Sequence, residues 1–311
     1  MKVSPGAKYV FRRLWEMVPT TLGVIALTFL LFNVIGGSPA LTVLGKNATP
    51  EAIAAFNHKW GYDLPLYRQF LNFLFDLCRG EFGYSLEMNE PVIDILRRGV
   101  GPTLSLTVPM LLFGTLIALL LAMVSAAYRG RAADKTILLG STVLMSVNYV
   151  VWVILGQYFL SYKAGLFPIW GYRSWVYLVL PAAIGIFSSL GADVRFFRTA
   201  ILDELYKPYV LTARSKGLSG AAIMARHVLR NALVPIVTYV SLSIPYLFTG
   251  SLLLESFFGI PGLGSVSINA IHSADMAVVR AVVVLGALLY QFVNLFTDLF
   301  YAVADPRVRL Q

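Results

Sequence analysis

Charge is scarce in this sequence. Only 13% of its 311 residues are Asp, Glu, Lys or Arg, against about a quarter in an ordinary soluble domain. That is too little to cover a water-facing surface. An apolar share of 58% and a mean hydropathy of +0.72 exclude a disordered chain as well. Cysteine is almost missing: Cys78 stands alone, which excludes a disulfide framework and a cysteine-rich metal site. The three histidines (His58, His227 and His272) are scattered, and no His-Glu-x-x-His helix exists. A phosphate-cradling glycine loop is also lacking, since Gly45-Lys46-Asn47 has no hydroxyl residue after its lysine. No G-x-S-x-G string is present, although a dispersed Ser–His–Asp site is not excluded by sequence.

What remains is a chain of long apolar runs. About 30 Å of hydrocarbon takes roughly 20 helical residues to cross. Six segments qualify: Met17–Ile35, Leu104–Ala127, Ile137–Leu160, Trp175–Ala192, Ala232–Leu254 and Ala277–Val303. The first five carry no charge, and the fourth extends toward Phe197. The sixth holds Arg280 near its start and Asp298 near its end. None alternates as a barrel strand would. The first run is longer than a typical signal core and is followed by further spans, so it reads as a retained anchor. The expected fold class is an all-α integral membrane protein, one domain over residues 1–311.

Six spans place both termini on one side. Sixteen of the 25 basic residues fall there, and the opposite side nets to zero, so the basic side is assigned as cytoplasmic. The net charge of +9 is thereby explained by topology, and nucleic acid is not an expected partner.

Two connections are long, and both should hold helices. In the external segment, 36–103, Thr49-Pro50 reads as a helix start and Gly61 as its stop. Asp63 is placed to cap a second helix through Cys78, whose Leu66, Phe70, Phe73, Leu74 and Leu77 recur at helical spacing. A third short helix is expected from Pro91 to Gly99. Such a cap either packs one side of the bundle or offers a docking surface. In the cytoplasmic segment, 193–231, Gly217 suits the left-handed end of one helix, and Ser219 caps the next, Gly220 to Arg230. Leu218 and Ile223 would form a hydrophobic staple. Met224 and Val228 share one face and Arg226 and Arg230 another. A short amphipathic helix of this kind can also lie on lipid headgroups.

The string YVLTARSKGLSGAAIMARHVLRNALVP, Tyr209 to Pro235, closely resembles the cytoplasmic loop of ATP-binding cassette importer permeases, more narrowly the dipeptide/oligopeptide/nickel family. Agreement extends in order through TLGVIALTFLLF, GYDLPLYRQFLNFLFDLCRGEFGYS, ESFFGIPGLG and NLFTDLFYAVADPRVRL. The long external segment after the first span suggests the first of the two permease subunits such systems use. The resemblance implies a second, homologous permease subunit, two ATPase subunits that hold ATP and Mg, and an external solute-binding protein. It implies no cofactor on this chain, and a location in the bacterial inner membrane. It also implies that the loop helix, called the coupling helix, sits in a groove on an ATPase. The general importer motif is Glu-Ala-Ala, three residues and Gly. Gly217 matches the glycine, but of Leu211, Thr212 and Ala213 only the last matches, so a salt bridge from the first position is impossible. Docking is therefore assigned to Ala213, Arg214, Lys216, Gly217, Leu218, Ser219, Ile223, Met224, Arg226 and His227.

Polar residues within the spans are few. Asn148, Gln157 and Ser241 are candidates for the pathway, while Asn294 and Asp298 read as a structural pair or a cargo contact. Glu255 and Asp275 flank the PGLG turn, as solvated loop acids or as contacts for cargo or a delivering protein. Pro235 and Pro245 mark the span after the coupling helix as one that either bends during switching or is statically kinked. No charge lies at the hydrocarbon centre, against an ion-driven carrier acting alone. The expected function is the permease subunit of an ATP-driven importer of short peptides. A nickel ion or metal chelate is the alternative cargo.

Overall fold

The computed structural model describes residues 5–35, 38, 40–45, 47–244 and 251–304. Pro245 and the side chain of Asp298 lie outside what is described, so the expectations for both stay open. The chain is helical nearly throughout. In order the helices are α1 (Pro5–Phe29, extended by a π-helical turn Leu30–Ile35), α2 (Ala40–Leu44), α3 (Pro50–Trp60), α4 (Leu66–Cys78) and α5 (Val92–Ala127). Next come α6 (Ala132–Ser146), α7 (Tyr149–Gly156, extended by a π turn Gln157–Lys163), α8 (Val176–Leu205), α9 (Pro208–Ser215), α10 (Gly220–Ile223) and α11 (Leu229–Ser241). Last are α12 (Leu252–Phe258), α13 (Leu263–His272) and α14 (Met276–Ala304). A two-residue hairpin, β1 Tyr84–Ser85 against β2 Glu90–Pro91, pairs Tyr84 with Pro91 and Ser85 with Glu90.

Four stretches are continuous helices long and apolar enough to cross a membrane: Trp15–Val34, Val92–Ala127, Val176–Leu205 and Met276–Phe296. The third expected span is not straight. It bends by 92° between Ala132–Ser146 and Tyr149–Lys163. Asn148 causes the break: its backbone is extended and its side-chain oxygen accepts from Val150 N at 2.9 Å, starting a new helix. A second bent pair, Leu252–Phe258 with Leu263–His272 at 85°, falls mostly in what read as a connection after the fifth span. Counting each pair as one, up to six spans are present.

The helix expected to stop at Gly99 does not stop. α5 runs 36 residues, about 54 Å at 1.5 Å per residue, so it outreaches the hydrocarbon. Gly99 serves close approach: a Cβ there would come within 2.9 Å of Leu263 Cδ2 and 3.2 Å of Leu263 N. Asp63 is also corrected. α4 starts after Pro65 with no side-chain cap, and the Asp63 carboxylate meets His58 Nδ1 at 2.8 Å instead. α3 behaves as expected, with Thr49 accepting from Ala52 N and Gly61 left-handed at φ 73°.

The chain forms two compact units. One gathers the residues up to Thr103 with Phe248–Ser256 and Pro261–Gln311. Its cores are Phe29, Phe73, Ile25 and Val284 on one hand, and Val92, Ile95, Leu96, Leu263, Ala270, Val278 and Ala281 on the other. The other unit comprises Leu104–Leu247 with Phe257–Ile260. There Ala118, Ala122 and Ala126, small side chains spaced four residues apart, share a core with Leu190, Val194, Phe197 and Ile201. Gly191 lets α8 approach α6 closely, for a Cβ would sit 2.9 Å from Met145 Cγ. Asp193 on α8 accepts from Tyr239 Oη at 3.0 Å, and the Tyr239 ring stacks on Phe196 at 4.3 Å.

The same unit holds a buried polar knot. Asp134, 3% exposed, accepts from Arg198 at both oxygens (2.9 and 2.8 Å) and from Gly130 N at 2.8 Å. Ser125 joins it, donating to Asp134 and accepting from Arg198 Nε. Three helices, α5, α6 and α8, are thereby tied at one point.

Candidate functional site

The segment between α8 and α11 is an elbow whose every turn has a local cause. Pro208 opens α9, its fixed φ suiting the first helical position. Glu204 holds α9 onto the end of α8, accepting from Tyr209 Oη at 2.6 Å and from Lys207 Nζ at 2.5 Å. Burial and the nearby Glu204 carboxylate push the Tyr209 phenol up, so it stays a donor. α9 ends where Gly217 turns left-handed at φ 77°. Gly217 N donates to Arg214 O at 2.9 Å and Leu218 N to Ala213 O at 3.3 Å, the paired bonds of a Schellman end. Ser219 then caps the next helix, its Oγ accepting from Ala222 N at 3.3 Å.

Beyond Ser219 the expected short helix does not end at Arg230. α10 passes through a π turn, Met224–Val228, into α11 and so to Ser241. The elbow and α11 are therefore one continuous helical segment from Gly220 to Ser241. The candidate docking residues divide by burial. Ala213 (5% exposed) and Ile223 (2%) are core residues that anchor both arms, together with Val210 and Val228. Neither presents a surface in this conformation. Arg214, Lys216, Gly217, Leu218, Ser219 and Arg226 are exposed, and Met224 and His227 are half-buried. Leu218, 38% exposed, lies outside the core that takes in Ile223. Beside the elbow runs an apolar groove of about 710 Å³, lined by Met123, Tyr128, Leu205, Arg214, Met224 and Leu229 among others.

The pathway candidates are placed as follows. Asn148 is exposed and spends its oxygen on the α7 cap. Gln157 Nε2 donates to Ile169 O at 3.0 Å and to Phe257 O at 3.1 Å, which ties the chain after α7 to the end of α12. Ser241 is half-buried in the last turn of α11, and Asn294 is half-buried in α14.

Glu255 and Asp275 are not solvated loop acids. Glu255 is fully buried and accepts from Thr103 Oγ1 (3.0 Å), Gly264 N (2.7 Å), Ser265 N (3.2 Å) and Ser251 N (3.2 Å). Its carboxylate thus caps α13, and Thr103 accepts from Leu263 N at 2.8 Å beside it. The PGLG glycines make room: a Cβ on Gly262 would strike the Glu255 carboxylate and the Thr103 hydroxyl, and one on Gly264 would lie 2.8 Å from Glu255 Oε2. Asp275, 9% exposed, accepts from the Ser85 hydroxyl and borders a cavity of about 370 Å³. Sequence reasoning missed these partners because Thr103 and Glu255 are 152 positions apart, and Ser85 and Asp275 are 190.

Two family descriptions match the chain. Residues 7–107 match the N-terminal part of the binding-protein-dependent transport system membrane component, and residues 114–310 match the binding-protein-dependent transport system inner membrane component. The chain is similar to the glutathione transport system permease protein GsiC of Salmonella choleraesuis (strain SC-B67), 33% identical over 307 residues, covering 97% of this chain and 98% of that protein. It is similar too to the protein of the same name from Escherichia coli (strain K12), 32% identical over 310 residues with the same coverage.

Proposed function

The chain belongs to the binding-protein-dependent transport system inner membrane components, and from that premise we propose what it carries and how it is driven. It is a multi-pass permease subunit of an ATP-binding cassette importer of the peptide family, and not a catalytic one. The cargo is a short peptide. Glutathione, named for its relatives, is the first to assay. Residues 1–311 work as one permease domain beside a second, related permease. Two ATPases that bind ATP and Mg drive the pair, and an external solute-binding protein loads it. Both termini and the elbow face the ATPases, in keeping with the basic residues gathered in those segments.

The observation that supports the coupling role is the way the elbow is held at both turns and in the core. Gly217 and Ser219 fix its angle, and Ala213 and Ile223 root both arms in the core. Its outer face keeps Arg214, Lys216, Leu218 and Arg226 for a partner. An ATPase pressing on that face would move α11 directly, whereas a slack loop would absorb the displacement.

The test is co-purification and reconstitution. Tagged chain is expected to bring down both ATPases and, in proteoliposomes, to support ATP-dependent glutathione uptake. Gly217→Pro cannot take a positive φ and should abolish uptake while the chain still inserts. Absence of any ATPase, together with full uptake by Gly217→Pro, would refute the reading.

A further inference from the structure

The cavity beside Asp275 is lined by charges of both signs. Its walls carry the carboxylates of Asp76, Glu87 and Asp275 and the guanidinium of Arg280. Arg280 Nη1 donates to Asn33 Oδ1 at 2.7 Å, and its Cζ lies over the Phe73 ring, 4.6 Å from the centroid. Its Nε, though, is sealed from solvent and has no hydrogen-bond partner among the described residues. No carboxylate among the described residues forms an ion pair with it. The Asp76 carboxylate on the same cavity attracts it without forming an ion pair, so the Nε donor stays open. A buried guanidinium with an open donor is costly to keep, and a bidentate acceptor is what its donor fork fits.

The remaining walls suit a cation. Trp60 and Tyr84 stand side by side, ring centroids 6.2 Å apart, and an ammonium is attracted to such faces. Glu87 is exposed at the cavity, and Asp76 is half-buried. The turn that delivers Asp275 is strained: Ala274 sits at φ 54°, a left-handed backbone that a side chain disfavours, and such strain gathers at ligand sites. The volume of about 370 Å³ lies at the small end of ligand pockets, which run about 300–1,000 Å³.

We propose that this cavity is a binding site for a small zwitterion, an amino acid or dipeptide, with its carboxylate on Arg280 and its ammonium among Glu87, Asp275 and the Trp60–Tyr84 wall. A molecule with both charges fills both deficits at once, which a simple anion or cation would not do. The site belongs to one compact unit and involves neither the elbow nor the pathway candidates in the spans. The dipeptide class of ligand rests on the short-peptide reading above, but the binding measured here and the ATP-driven uptake measured there fail separately.

Isothermal titration of the full chain in nanodiscs, with alanyl-alanine as titrant, tests it. Saturable one-to-one binding is expected. N-acetyl-alanyl-alanine, which lacks the ammonium, and alanyl-alanine amide, which lacks the carboxylate, should each bind at least tenfold more weakly. Arg280→Gln should erase the preference for the free acid over the amide. Arg280 also bonds Asn33, so two variants that leave that bond intact accompany it. Glu87→Gln and Trp60→Leu alter exposed side chains, and each should weaken alanyl-alanine at least threefold. Three outcomes overturn the proposal: no binding, equal binding of the blocked forms, or binding untouched by both Glu87→Gln and Trp60→Leu. A purified solute-binding protein that binds in a manner sensitive to these two variants, while the dipeptide does not bind, would also overturn it and give the cavity to a protein partner.

Discussion

Removing either half of the Asp134–Arg198 pair should be among the most damaging single changes in the protein. Asp134 is 3% exposed and receives two bonds from Arg198, one from Ser125 and one from the Gly130 amide. In Asp134→Ala the guanidinium keeps its place between α5, α6 and α8 with no anion, and the Gly130 amide loses its acceptor. Breaking a buried pair from one side costs about 3–5 kcal/mol, a shift of roughly 100-fold or more in the folding equilibrium. Replacing both, Asp134→Leu with Arg198→Met, removes the stranded charge along with the bond, and such exchanges are often near neutral. The double variant should therefore be more stable than either single one. Reversible unfolding in mixed detergent micelles measures all three against the parent. A loss below about 1 kcal/mol in Asp134→Ala, or a double loss equal to the sum of the single ones, would refute the assignment of this pair as a desolvated tie.

Two further substitutions probe the turns. At Gly217 an added Cβ meets nothing within 4 Å, so the only penalty is the left-handed backbone. Gly217→Ala should cost about 1–2 kcal/mol locally and Gly217→Asn less, because asparagine visits that region more readily; ATP-driven uptake should fall in that order, and equal rates would show that the turn is not needed. Glu255→Gln puts an amide nitrogen where at most one of four donors can be spared, and should cost about 1–3 kcal/mol in thermal unfolding of the purified chain; an unchanged midpoint would deny the carboxylate its capping role.

Local signals were legible where the cause lies within a few residues. Thr49, Gly61, Gly217 and Ser219 each act on neighbours up to five positions away, and each takes the backbone or cap its residue type suggests. The same reasoning misread Gly99 as a stop and Asp63 as a cap. A helical glycine and a helix end look alike until a distant Leu263 is found lying against the backbone. Asp63 had a nearer competitor in His58. The acids flanking PGLG read as solvated because nothing near them in sequence announces a buried partner.

The chain's own residues determined that it lies in a membrane, because so little charge cannot keep this much apolar side chain in water. They also determined the angle of the elbow, since a positive φ and a hydroxyl cap are properties of single residues. Tertiary structure alone decided which polar groups are buried together: Glu255 with Thr103, and Asp134 with Arg198. It also decided that α10 flows into α11 and that the two arms of the elbow share a core. The physical reason is desolvation. A carboxylate gains from burial only when donors meet it there, and those donors come from parts of the sequence that periodicity and spacing cannot bring together.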